Sequence, residues 1–140
     1  MTTTAVPPTS TQLCGVFADV NAAVAAAREA FLAFSDCSLA QRRTFINAVR
    51  EAASQQERLE YMATAAVEET GMGNVHHKVL KNLYAATRTP GVEDLVMEAR
   101  QGDDGLTTLE YSPYGVIGAI TPTTNPTETI ICNTVGMLAA

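Results

Sequence analysis

From Val20 the apolar positions recur at Val24, Ala27, Phe31 and Phe34, alternating steps of four and three residues. That spacing lays one apolar stripe along a helix and predicts one over 19–34, with Asp19 as its amino-terminal cap. A second helix begins at Ser38, where Gln41 three places on completes a capping-box pattern, and Leu39, Phe45, Ile46, Val49 and Ala53 carry its stripe. The short link 35–37 between the two predicts an antiparallel pair. A third helix is expected over 56–70, with Leu59, Met62, Ala66 and Val67 inward and Gly71 where a left-handed cap residue is wanted. A fourth covers 74–87, with Val75, Val79, Leu80, Leu83 and Ala86 inward, and Pro90-Gly91 ends it.

Beyond Leu95 the period changes. Val96 to Arg100 and Leu106 to Tyr111 read as two strands around the polar turn Gln101 to Gly105, a hairpin over about 95–111. Gly115 to Ile120 is a short continuous apolar run, the pattern of a strand buried on both faces of a parallel sheet. Thr121 to Asn125 is a polar loop, and Pro126 opens a helix with Ile130, Ile131, Thr134, Val135 and Leu138 on one face. The fold class expected is α/β: amino-terminal helices around the edge of a parallel sheet whose first core strand is 115–120. One strand with one helix cannot cover its second face, and the last helix reaches Ala140 with no capping signal, so the chain reads as part of a larger domain.

Composition narrows the functional classes. The 140 residues suit one domain, and 46% hydrophobic against 17% charged residues, with a mean hydropathy of +0.05, are the proportions of a folding chain. A formal net charge of −6 supplies no basic face for nucleic acid or an anionic membrane, and no apolar run approaches a membrane span. Cys14, Cys37 and Cys132 are odd in number and lack CxxC spacing, which argues against a disulfide framework or zinc site and for a reducing, cytoplasmic setting. Met1 to Gln12 has neither the basic nor the apolar region of a secretory signal, and residues 1–14 read as a flexible leader.

The stretch YGVIGAITPTTNPTETIICNTVGMLAA, from Tyr114 to Ala140, resembles the CoA-acylating branch of the aldehyde dehydrogenase superfamily. That branch includes the propionaldehyde and acetaldehyde dehydrogenases of bacterial microcompartments and the aldehyde half of aldehyde-alcohol dehydrogenases. GVFADVNAAVAAAREAF from Gly15, EETGMGNVHHKVLKN from Glu68 and TPGVEDL from Thr89 are similar to the same branch in the same order, so the likeness runs over nearly the whole chain. The resemblance implies that 15–140 is the amino-terminal part of an NAD-binding domain and that the hairpin is an oligomerisation arm. The complete protein would then be a homo-oligomer that oxidises a short-chain aldehyde to an acyl-CoA with NAD and coenzyme A, in the cytoplasm or within a microcompartment and its shell. A threonine-asparagine-proline loop in place of proline-tryptophan-asparagine is what the acylating branch resembles. Aligning the flanking prolines sets Thr124, rather than Asn125, opposite the asparagine that supports the oxyanion in hydrolytic relatives.

A buried strand that ends in a polar loop feeding a helix is where open α/β sheets bind ligands. On that ground Ile120, Thr121, Pro122, Thr123, Thr124 and Asn125 are the candidate cofactor-binding residues. A simpler reading stands beside it, since Asn125 with Glu128 forms a capping box and Pro126 suits the first helical position. Gly115 and Gly118 lie within the strand pattern and make no GxGxxG fingerprint. The chemistry of the family needs a thiolate, which the resemblance sets beyond residue 140; Cys132, on an apolar helix face, reads as a core residue. No catalytic or metal residue is expected within the chain, because His76 and His77 are adjacent on a helix and diverge by about 100°. Two alternatives remain at this level: a non-catalytic binding or assembly module, and a succinate-semialdehyde or hydrolytic aldehyde dehydrogenase.

Overall fold

The computed structural model describes residues 15–140, so the leader expected over 1–14 and Cys14 lie outside the described residues. Five α-helices, a 3₁₀ turn and one hairpin follow in the order α1 Val20–Phe34, α2 Leu39–Ala53, α3 Gln56–Thr70, α4 Val75–Arg88, the turn Val92–Asp94, β1 Glu98–Gly102, β2 Gly105–Leu109 and α5 Pro126–Ala139. The starts of α1, α2 and α4 are set by side chains that accept the otherwise unpaired first N–H groups. Asp19 Oδ1 accepts from the Ala22 N–H at 2.9 Å, and Asn74 Oδ1 from that of His77 at 2.9 Å. The Ser38–Gln41 capping box forms in both directions. Gly71 ends α3 at φ 66°, a conformation in which a side chain would crowd the backbone.

The core is a helical layer in which α5 packs against α2, α3 and α4. Ile46 of α2, Val92, and Val135 and Ala139 of α5 form one buried cluster, with Val49, Leu95 and Leu138 around it. Ala85 and Ala86 of α4 with Ile131 of α5 form the other, with Ala53, Met62 and Cys132 at its margin. Alanines at Ala63, Ala66, Ala85 and Ala86 let the backbones of α3, α4 and α5 come close.

Three expectations need correction. Val20 and Val24 of the α1 stripe are exposed, Val20 at 76%, Phe31 and Phe34 are half-buried, and α1 fully buries no residue. It meets α2 at a corner, where the Phe34 and Phe45 rings lie 6.0 Å apart and the Arg42 guanidinium sits over Phe34, rather than along its length as an antiparallel pair would. On α4 the buried residues are Lys78, Asn82, Ala85 and Ala86, with Val79 half-buried, while Val75, Leu80 and Leu83 are exposed; the expectation holds at Ala86 but missed the buried polar pair. Finally, Gly115 to Ile120 pairs with no strand, and Ile120 is 95% exposed. The physical reason is that a strand is completed by neighbours that accept its N–H groups, and among the described residues β1 and β2 are bonded to each other.

The hairpin lies within its expected bounds of about 95–111, with a tighter turn. β1 and β2 are antiparallel, in register from Glu98 opposite Leu109 to Gly102 opposite Gly105, with Asp103 and Asp104 at the tip. Every residue of both strands is exposed. A hairpin that packs on nothing gains no apolar burial, and two strands alone are marginal in water. Among the described residues no helix is long and apolar enough to cross a membrane.

Arg50 secures the turn after α4. Its Nη2 donates to the Thr89 carbonyl at 2.8 Å and lies 2.7 Å from Glu93 Oε1. The hydrogen bond from Arg50, and then those from nearby backbone N–H groups, hold the Glu93 carboxyl down at about 2. Because this group is depressed on folding, its stabilisation is complete above the ordinary value of 4.5 and is lost as pH falls toward 2. The pair is half-exposed, so its worth is about 0.2–1 kcal/mol. Denaturant melts between pH 5 and 2 should show this increment fading, and E93Q should remove that part of the acid dependence. Ile46→Ala should cost far more, about 2–5 kcal/mol in the same melts, because it leaves a cavity against Val92 and Val135.

Candidate functional site

The candidate loop lies directly before the first turn of α5, and α4 holds it there. Thr121 to Thr124 are exposed, the loop closes on itself where the Asn125 N–H donates to the Pro122 carbonyl at 3.2 Å, and Pro126 starts the helix. Pro126 has no N–H to leave unpaired and its ring presets a helical φ.

The capping box expected at Asn125 and Glu128 does not form: Asn125 makes no side-chain cap. Its Oδ1 instead accepts from Lys81 Nζ of α4. The same ammonium is 2.6 Å from Glu128 Oε1, so one cation joins both residues that local pattern would have paired with each other. Lys78 Nζ, four-fifths of a turn back on α4 and buried, donates to the Thr124 carbonyl at 3.1 Å. One turn on, the fully buried Asn82 accepts at Oδ1 from the Thr127 hydroxyl at 2.8 Å, and that hydroxyl is also 3.1 Å from Glu128 Oε2. Tertiary partners outcompete the cap because a hydrogen bond to an ammonium is stronger than one to a neutral N–H.

Burial pushes the Glu128 carboxyl up, but the Lys81 ammonium, Glu128's own N–H and the Thr127 hydroxyl together outweigh burial and leave it below 4.5. The carboxylate is therefore the resident form at neutral pH, and it sits in the first turn of α5, where the helix dipole favours negative charge. Two ammonium groups face this loop against one carboxylate, so the mouth of α5 carries a positive balance despite the acidic composition of the chain.

Thus the structure brings together Thr124 and Asn125 with three residues of α4 that pattern reading did not single out: Lys78, Lys81 and Asn82. A signal was present in K-x-x-K-N, which sets Lys78, Lys81 and Asn82 at helical spacing on one face of a helix otherwise read by its apolar residues. Ile120 to Thr123 are brought to no partner of this kind. Beside the Lys81 bridge, Leu80, Tyr84, Ala85 and Cys132 line an open apolar depression of about 420 Å³ between α4 and α5. Cys132 is half-buried there and its Sγ accepts from the Thr89 hydroxyl at 3.1 Å, in keeping with a packing role. His76 and His77 are exposed, and His77 Nδ1 lies 2.9 Å from the amide nitrogen of Asn74, whose carboxamide oxygen caps α4.

A helical layer that delivers a polar loop to the start of a helix, with a protruding hairpin between them, defines a known class. The chain belongs to the aldehyde dehydrogenase family, whose model matches residues 7–140. Within that family it is 49% identical over 126 residues to a CoA-propanoylating propanal dehydrogenase of Citrobacter freundii, an alignment covering 90% of this chain and 27% of that protein. Its fold matches an engineered glycolyl-CoA reductase with bound NADP+ at a TM-score of 0.85 and 56% identity, covering 90% of this chain and 29% of the other. It also matches the propionaldehyde dehydrogenase of the Clostridium phytofermentans fucose utilisation bacterial microcompartment at a TM-score of 0.82 and 56% identity, covering 89% and 28%. The chain therefore spans between a quarter and a third of the length of these relatives.

Lys81→Met should raise the Glu128 carboxyl toward or above its ordinary value, because burial would remain while the largest opposing contribution disappears. Carboxyl carbon chemical shifts followed through an acid titration would read the change directly.

Proposed function

We propose that the protein to which this chain belongs is a CoA-acylating aldehyde dehydrogenase. It oxidises a short-chain aldehyde, passes hydride to a nicotinamide dinucleotide and releases the acyl group as an acyl-CoA. The observation that carries this reading is the 49% identity to a CoA-propanoylating propanal dehydrogenase, sustained over 90% of the chain and including the loop region. The relative with bound NADP+ supports a nicotinamide cofactor, and the relative's name in Citrobacter freundii supports coenzyme A as acyl acceptor.

The loop suits such a cofactor in its charge. With the charge of Lys81 met by Glu128, Lys78 and the positive end of α5 favour the diphosphate of a dinucleotide near Ile120, Thr121, Pro122, Thr123, Thr124 and Asn125. The exposed threonine hydroxyls and backbone amides of this loop supply neutral donors beside the two cations. Bound there, the dinucleotide would supply the hydride acceptor, while this chain's share is binding and orientation. Residues 15–140 then form the amino-terminal part of the cofactor-binding domain. Neither Cys37 nor Cys132 is assigned the nucleophilic role: Cys132 serves the α4–α5 packing, and Cys37 lies in the α1–α2 link.

The hairpin fits an oligomerisation arm, since its strands are exposed on both faces and their edges lack other partners among the described residues. A homo-oligomer follows from that reading. Residence in the cytoplasm or inside a microcompartment shell is supported by the relative from the Clostridium phytofermentans microcompartment.

The test is the CoA dependence of turnover by the full-length protein. With propionaldehyde and NAD+, and separately with NADP+, reduced nicotinamide should accumulate on adding coenzyme A and should be nearly absent without it. Equal rates with and without coenzyme A would convert the assignment to a hydrolytic enzyme.

A further inference from the structure

The bridge from α4 decides which atoms of Asn125 remain for a ligand. A carboxamide offers one acceptor oxygen and a nitrogen with two donors. Asn125 Oδ1 is engaged by Lys81 Nζ, and that ammonium is held in turn by Glu128 Oε1 at 2.6 Å. An ammonium can only donate, so turning the amide over would set N–H groups against it. The nitrogen of Asn125 is thereby left facing away from the bridge.

A local rule is given up to achieve this. The sequence offers Asn125 and Glu128 a reciprocal cap at the start of α5, yet Asn125 makes no cap bond and both side chains turn to Lys81. Local patterns are most often overridden where function sets the geometry. Lys78 acts alongside, taking up the carbonyl of Thr124 and so fixing the peptide just before Asn125. The fully buried Asn82 anchors the far side of the same turn through Thr127.

Resting on the cofactor-loop reading above, we propose that Lys81 is a positioning residue: by holding Asn125 Oδ1 against Glu128, it presents the Asn125 amide nitrogen as a fixed donor to an oxygen of the bound ligand. Lys81 itself does not touch the ligand. It acts through Asn125, and its loss is felt where Asn125 is felt.

The experiment uses the full-length protein as wild type, K81M, K81R, N125A and the double variant K81M/N125A. Three quantities are read: the dissociation constants of NAD+ and NADP+, kcat and KM with propionaldehyde, and hydrogen exchange of the amides over 124–129. K81M should speed that exchange and lower kcat/KM about tenfold, the effect of one misdirected polar contact. K81R, which keeps a cationic donor, should recover most of both. The double variant should be no worse than N125A alone, because the two residues act in series. Additive losses in the double variant, or unchanged exchange and turnover in K81M, would overturn the proposal.

Exchange separates this proposal from the reading beneath it. Should the wild type bind neither dinucleotide while K81M still loosens 124–129, the cofactor site fails and the clamp on Asn125 stands as a structural fact without the ligand role. Should the wild type bind and turn over while K81M behaves as wild type in all three measurements, the clamp fails and the cofactor site stands. If K81M does not fold, K81R with N125A completes the comparison: K81R near wild type in exchange and N125A deficient in kcat/KM is expected, and K81R as deficient as N125A in both is the overturning result.

Discussion

One ammonium group shared between an amide oxygen and a carboxylate holds the candidate loop of this molecule in place. Lys81 draws Asn125 and Glu128 to α4 at the point where the chain passes from irregular loop into α5. Without that attachment the loop would be tied to the helical layer chiefly by the carbonyl of Thr124 and the hydroxyl of Thr127. The charge pair works because it is half sheltered: Glu128 is buried while Lys81 keeps contact with water. The carboxylate gains a partner, and the cation is spared the full cost of desolvation.

The α4–α5 contact has two parts in sequence along the helices. Toward the carboxyl end of α4, Ala85 and Ala86 meet Ile131, and dispersion and apolar burial hold the pair. Toward its amino end the contact becomes polar, through Lys78, Lys81 and Asn82. The apolar part lacks direction and would tolerate small shifts; the polar part has fixed donors and acceptors and sets the register. Together they place the start of α5 relative to the helices behind it, which is what a ligand-binding loop requires of its scaffold.

Elsewhere the molecule displays apolar surface that the described residues leave uncovered. Val20, Val24 and Leu32 of α1, Leu106 and Leu109 of the hairpin and the run from Val116 to Ile120 are exposed. The hairpin forms where its pattern called for one, whereas the α1 stripe and the 115–120 run do not find, among the described residues, the neighbours their patterns call for. The loop that bears the candidate residues, by contrast, has its side-chain supports within the described helices.

Helix positions and ends were legible because their causes are local. The Ser38–Gln41 box, the Asp19 and Asn74 caps, the left-handed Gly71 and Pro126 at the first helical position act within a turn or so of the residues they control. The family likeness and the candidate loop could likewise be read along the chain. Which face of α4 is buried could not, because apolar periodicity ranks Val75, Leu80 and Leu83 above Lys78 and Asn82, and a buried polar residue becomes acceptable only when a distant partner satisfies it. The fate of Asn125 and Glu128 was decided in the same way. Three residues apart they predict a cap, but Lys81, 44 positions from Asn125, offers a stronger donor once α4 and α5 lie side by side. The 115–120 run shows the converse: its apolar pattern is a strand's, yet strand geometry is a property of hydrogen-bonded neighbours and cannot be supplied by the segment alone. Preferences confined to one turn of chain belong to the sequence, whereas pairing between groups remote along it is settled only when the tertiary structure brings them together.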